Sequence, residues 1–205
     1  MSELAVTGNP STEVEATPQK PTETAMEQWA REARVVAQIA ASISTTSFAG
    51  QLRGKPDEVT AVILAGNELG LPPMAALKAI DIIGGTPALR AHAMRGLIQS
   101  KGHEIELVES SPEHCLMRGR RKGAEAWQHV EWPIARAAKL GLTDKPEWKK
   151  QPQTMLVARA TGELCRLIAA DALHAMPYAA EELEGVAHAE IVTERPRLSI
   201  DDLTA

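Results

Sequence analysis

The residues of this chain whose types and spacing could do chemistry are mostly cations. In the stretch from Trp148 to Asp171, WKKQPQTMLVARATGELCRLIAAD, Arg159 and Arg166 lie seven residues apart. That is nearly two turns of α-helix, so they project from one side with Glu163 between them. Guanidinium groups are permanently charged and present a planar fork that fits phosphate oxygens. With Lys149 and Lys150 at the N-terminal end of the same stretch, the pattern reads as a ledge for a nucleic-acid backbone. The plainer reading is a solvated helix face carrying an i,i+4 pair between Arg159 and Glu163. A second cluster, Arg118, Arg120, Arg121 and Lys122, puts four cations into five residues. It reads either as a solvated hairpin tip or as a second phosphate wall. Trp127 and Trp132 are separated by an odd number of positions, so on one strand they face opposite ways and at most one is core. The other is free to stack on a base or to wall a subunit interface.

Other chemistries find less support. Asp57 after Pro56 and the run Glu147-Trp148-Lys149 can be assembled into a metal-dependent nuclease pattern, carboxylates holding Mg²⁺ and a lysine orienting water. Asp57 opens a helix, however, and the second half lies between prolines rather than on a strand. The run GQLRGKP resembles a phosphate-binding loop, but its spacer is short and Pro56 stands where the Mg²⁺-binding hydroxyl belongs. Cys115 and Cys165 form no CxxC and read as buried reduced thiols. His103, His114 and His129 keep no ligand spacing with a cysteine or carboxylate. No catalytic residue, metal site or cofactor is expected, Mg²⁺ entering only as a modulator of DNA binding.

The net charge of −5 argues against a polyanionic partner until it is resolved along the chain. Residues 1–28 carry five acids and one lysine, and residues 179–205 carry seven acids and two arginines. Residues 29–178 hold 19 Lys/Arg against 15 Asp/Glu, a mildly basic body between acidic ends. With 205 residues and 44% apolar content the chain can bury one substantial core. Neither a run of eighteen apolar residues nor a signal-peptide pattern is present, so a cytoplasmic protein without membrane association is expected.

The elements that must position the cations follow from periodicity. Residues 1–25, rich in Thr, Pro, Glu and Ser, read as a disordered acidic tail. Met26 to Ser44 has helical spacing and offers a packing face, 45–54 is a loop, and Pro56-Asp57-Glu58 opens a helix that stops at Gly70. A short helix in LPPMAALKAI is followed by a hairpin about Gly84-Gly85 and a helix over 90–100. HEIELVE, HCLMRGRRK and AWQHVEW then alternate as three antiparallel strands, with Ile105 and Leu107 on one face. Pro133 opens a short helix, and LTDKPEWKKQP is a loop leading to the long helix that Pro152 starts. On that helix Leu156, Val157, Ala160, Leu164, Leu167 and Ile168 share one core-facing arc. The fold class is α+β: a three-stranded antiparallel meander packed with several helices, a short N-proximal hairpin, a core over 26–184 and a flexible acidic tail over 185–205.

Trp148, Pro152, Met155, Leu156, Arg159, Ala160 and Arg166, then Tyr178 and Glu181-Glu182, stand in an order that resembles the phage single-strand annealing recombinases of the RecT and Redβ type. NELGLPP at Asn67–Pro73 and HVEWPIARA at His129–Ala137 are similar to further segments of that family, and the likeness spans about residues 57–184. The resemblance implies ATP-independent annealing of single-stranded DNA without covalent chemistry. It also implies homo-oligomeric rings or helical filaments, a three-stranded sheet packed with helices, and DNA contacts at Arg159 and Arg166. The partners it implies are single-stranded DNA, further copies of the chain, and a phage exonuclease or host single-strand-binding protein. No folded C-terminal docking domain for the last two is expected in a chain of this length. Gln153 stands where the family carries a basic residue. The competing function classes are a metal-dependent nuclease and a non-catalytic DNA-binding regulator.

Overall fold

A computed structural model describes residues 24–174 and 176–183. The expected tails therefore lie outside the described residues, apart from Thr24 and Ala25, which begin the first helix rather than end a tail. Thr24 and Glu27 form a reciprocal capping box that opens α1, Ala25–Ser44. The segment expected to be a loop contains a 3₁₀ turn, Ser47–Leu52. Helices α2 (Pro56–Glu68) and α3 (Pro73–Ala79) each start on a proline, whose missing N–H is unneeded in the first turn. Strands β1 (Ile80–Ile83) and β2 (Thr86–Leu89) form the hairpin expected. Gly84 and Gly85 both take positive φ (56° and 81°), as the tight two-residue turn requires.

Helix α4 (Ala91–Ser100) leads into the antiparallel meander of β3 (Glu104–Ser110), β4 (His114–Arg120) and β5 (Gln128–Pro133). Helices α5 (Ile134–Lys139) and α6 (Pro146–Lys150) follow, then α7 (Pro152–Ala169), which tightens to 3₁₀ over Ala170–Leu173. The chain reverses at His174, in left-handed conformation (φ 43°), and ends its described part in the turn α8, Ala180–Leu183. The α+β class and the three-stranded meander read from the sequence are the observed ones.

Helix α7 is the centre of the molecule. It packs on β4 and β5 along one side and on α4 along another. Cys115, Met117 and Gly119 of β4 face it. A Cβ at Gly119 would come 3.1 Å from Ile168 Cδ1 and 3.3 Å from Leu164 Cδ2, so the missing side chain sets how closely helix and sheet approach. Being covered on two sides, α7 buries Met155, Ala158, Thr161, Gly162, Cys165 and Ala169 as well as Leu156, Ala160, Leu164 and Ile168.

The expected core arc needs two corrections. Leu167 is exposed although Leu156 and Ala160, on the same side of the helix three and two turns earlier, are fully buried, so the cover of that side ends before the last turn of α7; Val157 is only partly buried. Leu107 of β3 is also exposed rather than inward beside Ile105. α7 lies chiefly over β4 and β5, and a bulge between Leu107 and Glu109 turns this edge strand. The expected loop 142–152 contains α6, which carries Trp148 into the core. Trp132 is the core tryptophan of the pair considered above, and Trp127 precedes β5. A smaller cluster of Ala40, Ala49, Val59 and Ile63 holds α1 and the 3₁₀ turn against α2. Among the described residues no single helix is long and apolar enough to cross a membrane.

Candidate nucleic-acid interface

One side of α7, between β5 and the segment that follows the helix, carries Arg159, Glu163 and Arg166, as the helical spacing requires. Their partners differ from those expected. Glu163 does not pair with Arg159. Its Oε2 accepts from the Trp132 indole Nε1 at 2.7 Å and lies 2.9 Å from Arg136 Nη2, whose guanidinium sits 4.1 Å over the Trp132 ring. An indole donor and a guanidinium held by α5 compete better for this carboxylate than a neighbour on its own helix. Arg136 is thus a member of the ledge that no sequence reading singled out; its signal was the run Trp132-Pro133-Ile134-Ala135-Arg136, which returns a cation next to the tryptophan.

Arg166 and Arg159 meet the segment that follows α7. Arg166 Nη1 donates to Glu182 Oε1 at 2.7 Å and to the Pro177 carbonyl at 2.9 Å, and its guanidinium lies 5.2 Å from the Tyr178 ring. Arg159 Nη2 reaches the Glu182 main-chain oxygen only at 3.4 Å, and its buried Nε has no hydrogen-bond partner. Burial pulls the Arg159 pKa below its ordinary value of 12.5, the Glu182 charge opposing this and the Arg166 charge adding to it. Arginine so far above neutrality stays charged. The result is a fixed, half-buried cation with much of its donor capacity unmet. Lys149 and Lys150, exposed on α6 just before α7, make no ion pair among the described residues and extend the ledge toward the α7 N-terminus.

The strand cluster is built differently. Arg118 and Arg120 lie on the outer face of the sheet, alternating with Met117 and Gly119 that face α7, so they share no groove with Arg159 and Arg166. Each is compensated across the β3–β4 ladder: Arg118 to Glu106 at 2.6 Å and Arg120 to Glu104 at 2.7 Å. Both guanidiniums stack on Trp127, at 4.5 and 4.9 Å from its ring. Arg121 turns away to make a paired contact with Asp171 at 2.8 Å, which holds that carboxyl down at about 2. The Lys122 backbone N–H donates to His103 Nδ1 at 3.1 Å. Of the four cations expected at the hairpin, Arg118 and Arg120 are thus ion-paired on the outer sheet face, Arg121 is paired with Asp171 beyond it, and the Lys122 side chain makes no ion pair among the described residues.

The remaining expectations resolve locally. Gln153, at the position the resembling family makes basic, donates to the Ser110 carbonyl and hydroxyl at 3.2 and 3.0 Å, tying the start of α7 to the β3–β4 turn. Asp57 stands in the first turn of α2 and Glu147 in that of α6. Cys115 and Cys165 are buried free thiols that burial pushes up to about 11 and about 12, so both stay protonated at neutral pH. Among the described residues no three His, Cys, Asp or Glu side chains form a group suited to a metal. In comparison with known proteins, no family model, no curated protein and no solved structure matches this chain.

Proposed function

We propose that this protein binds single-stranded DNA along the side of α7 that carries Arg159 and Arg166 and anneals it to a complementary strand. It would do so without ATP and without a catalytic residue, in homologous recombination of the phage or prophage type. The observation that carries the reading is Arg159: a guanidinium fixed by burial, with a buried donor unpaired and its one hydrogen bond long, beside a second arginine on the same ridge. Such a pair calls for an anionic ligand rich in oxygen acceptors, and a phosphate backbone supplies one. Arg136, Lys149 and Lys150 extend the positive strip, which suits sequence-independent binding because charge on a backbone track ignores base identity. The order of residues resembling the annealing recombinases adds the same direction.

Annealing over many nucleotides needs many copies of a short track, so the working form is a homo-oligomer on DNA. Helix α1 leaves Met26 and Trp29 exposed in its first turns, on the side that further along packs on α2, and Val35 and Ile39 exposed on another side, apolar surface suited to neighbouring copies. The test is annealing of complementary oligonucleotides without nucleotide cofactor, with particle size measured by sedimentation. The expected result is annealing by assemblies larger than a dimer, lost in the Arg159→Ala/Arg166→Ala double variant while its helicity is retained. Unchanged annealing in the folded double variant, or divalent-dependent cleavage in place of annealing, overturns the reading.

A further inference from the structure

Glu182 lies against both arginines of α7, its carboxylate on Arg166 and its main-chain oxygen on Arg159. Its carboxylate is nearly buried, at 8% exposure, and Oε1 accepts from both Arg166 Nη1 at 2.7 Å and the Ala179 N–H at 3.2 Å. The floor beneath it is Gly162, where a Cβ would collide with this same oxygen, so α7 carries a notch the acid fills. The segment is pinned by its neighbour too: Glu181 Oε2 accepts from the Ala91 N–H at the start of α4 at 3.0 Å, and Ala179 bridges Leu89. Tyr178, exposed, lies along Arg166. The Glu182 carboxylate takes Arg166, while Arg159 receives only the Glu182 main-chain oxygen, at 3.4 Å.

We infer that the turn from Pro177 to Leu183 is a latch in which Glu182 acts as an internal phosphate stand-in, displaced when single-stranded DNA takes Arg159 and Arg166. The inference rests on the annealing reading above. It makes free protein a weaker binder than its cations allow and couples DNA entry to release of this turn.

The test uses the full chain and a fluorescent oligothymidylate. Glu182→Gln keeps the shape but deletes the competing charge. It is expected to bind about tenfold more tightly than wild type, the size of one charge-assisted bond removed from competition. That gain should vanish when Arg159 and Arg166 are alanine. In wild type, the Glu182 and Leu183 amides, bonded to the Ala179 carbonyl, should exchange hydrogen faster with oligonucleotide bound than without. Equal or weaker binding by the folded Glu182→Gln protein overturns the latch while leaving the annealing reading intact. So does unchanged or slower exchange of those amides in bound wild type, a measurement that decides the matter if the variant fails to fold. Absence of binding by wild type and variant alike overturns both.

Discussion

Arg166 donates from one nitrogen to the Glu182 carboxylate and to the Pro177 carbonyl, and Glu182 is the less exposed partner. Deleting the arginine therefore strands a nearly buried carboxylate, whereas deleting the acid leaves a cation that still reaches solvent. Arg166→Ala is expected to lower unfolding free energy by about 2 kcal/mol, between a surface pair and a fully buried one. Adding Glu182→Gln should recover part of that loss by removing the orphaned charge. Urea midpoints of the single and double variants check both statements; equal midpoints for wild type and Arg166→Ala would return Arg166 to the status of a solvated side chain. The pair itself was legible in the sequence as two cations seven positions apart. Their partners were not. A helical wheel offers only neighbours on the same helix, and it nominated Glu163, which Trp132 and Arg136 take instead. Glu182 arrives through a reversal at His174, and nothing in local spacing encodes that return.

Strands β3, β4 and β5 were readable because a sheet covered on one face alternates, and Cys115, Met117 and Gly119 do so against α7. The same rule failed at Leu107, since alternation cannot say how far the covering helix extends. It missed α6, whose five residues are too few for a period and which is held by burial of Trp148. What binds the three strands on their open face is His114. Its Nε2 lies 2.9 Å from Glu131 Oε1 on β5 and its Nδ1 3.3 Å from Glu109 Oε1 on β3. The Glu131 hydrogen bond is the largest influence on its pKa; burial opposes it, and the Glu109 and Glu131 charges and the Glu109 hydrogen bond add to it, so the pKa lies above the ordinary 6.5. A folded-state pKa above the unfolded value gives stabilisation that is complete below about 6.5 and is lost as pH rises through the raised value. The His114 contribution to stability is thus expected to decline as pH rises above 6.5, and His114→Gln should remove that decline without touching the acid limb; His103, whose pKa burial lowers, contributes in the opposite sense in both proteins. Thermal unfolding of both proteins across this range decides it; a slope unchanged in the variant would assign the pH dependence elsewhere.

At the scale of the molecule, charge is divided by the sheet. The uncompensated strip, Lys149, Lys150 and Arg159, runs along α6 and α7 on the helical side, joined by Arg136 and Arg166, which bring single acids with them. The outer sheet face carries Arg118 and Arg120, but Glu106 and Glu104 neutralise them in register, and Trp127 covers the guanidinium faces. Sequence places the two clusters on an equal footing because it counts cations without seeing the acids paired across strands. A strand of DNA gains from displacing counterions at unpaired cations and gains little where it must first break an existing ion pair. Replacing Arg159, which no carboxylate pairs, should therefore reduce the log–log salt slope of oligonucleotide binding by about 0.7, and adding Arg166→Ala, whose guanidinium must first leave Glu182, should reduce it further by less than that. Replacing Arg118 and Arg120 should leave the slope nearly unchanged and alter affinity little, because Glu104 and Glu106 then oppose the ligand only from a face it does not use. Salt titrations of the two double variants separate the outcomes. A slope that falls only in the sheet variant would move the DNA path to the outer face, with Trp127 as its stacking platform, and would leave the α7 pair as an internal clasp for the chain's own C-terminal turn.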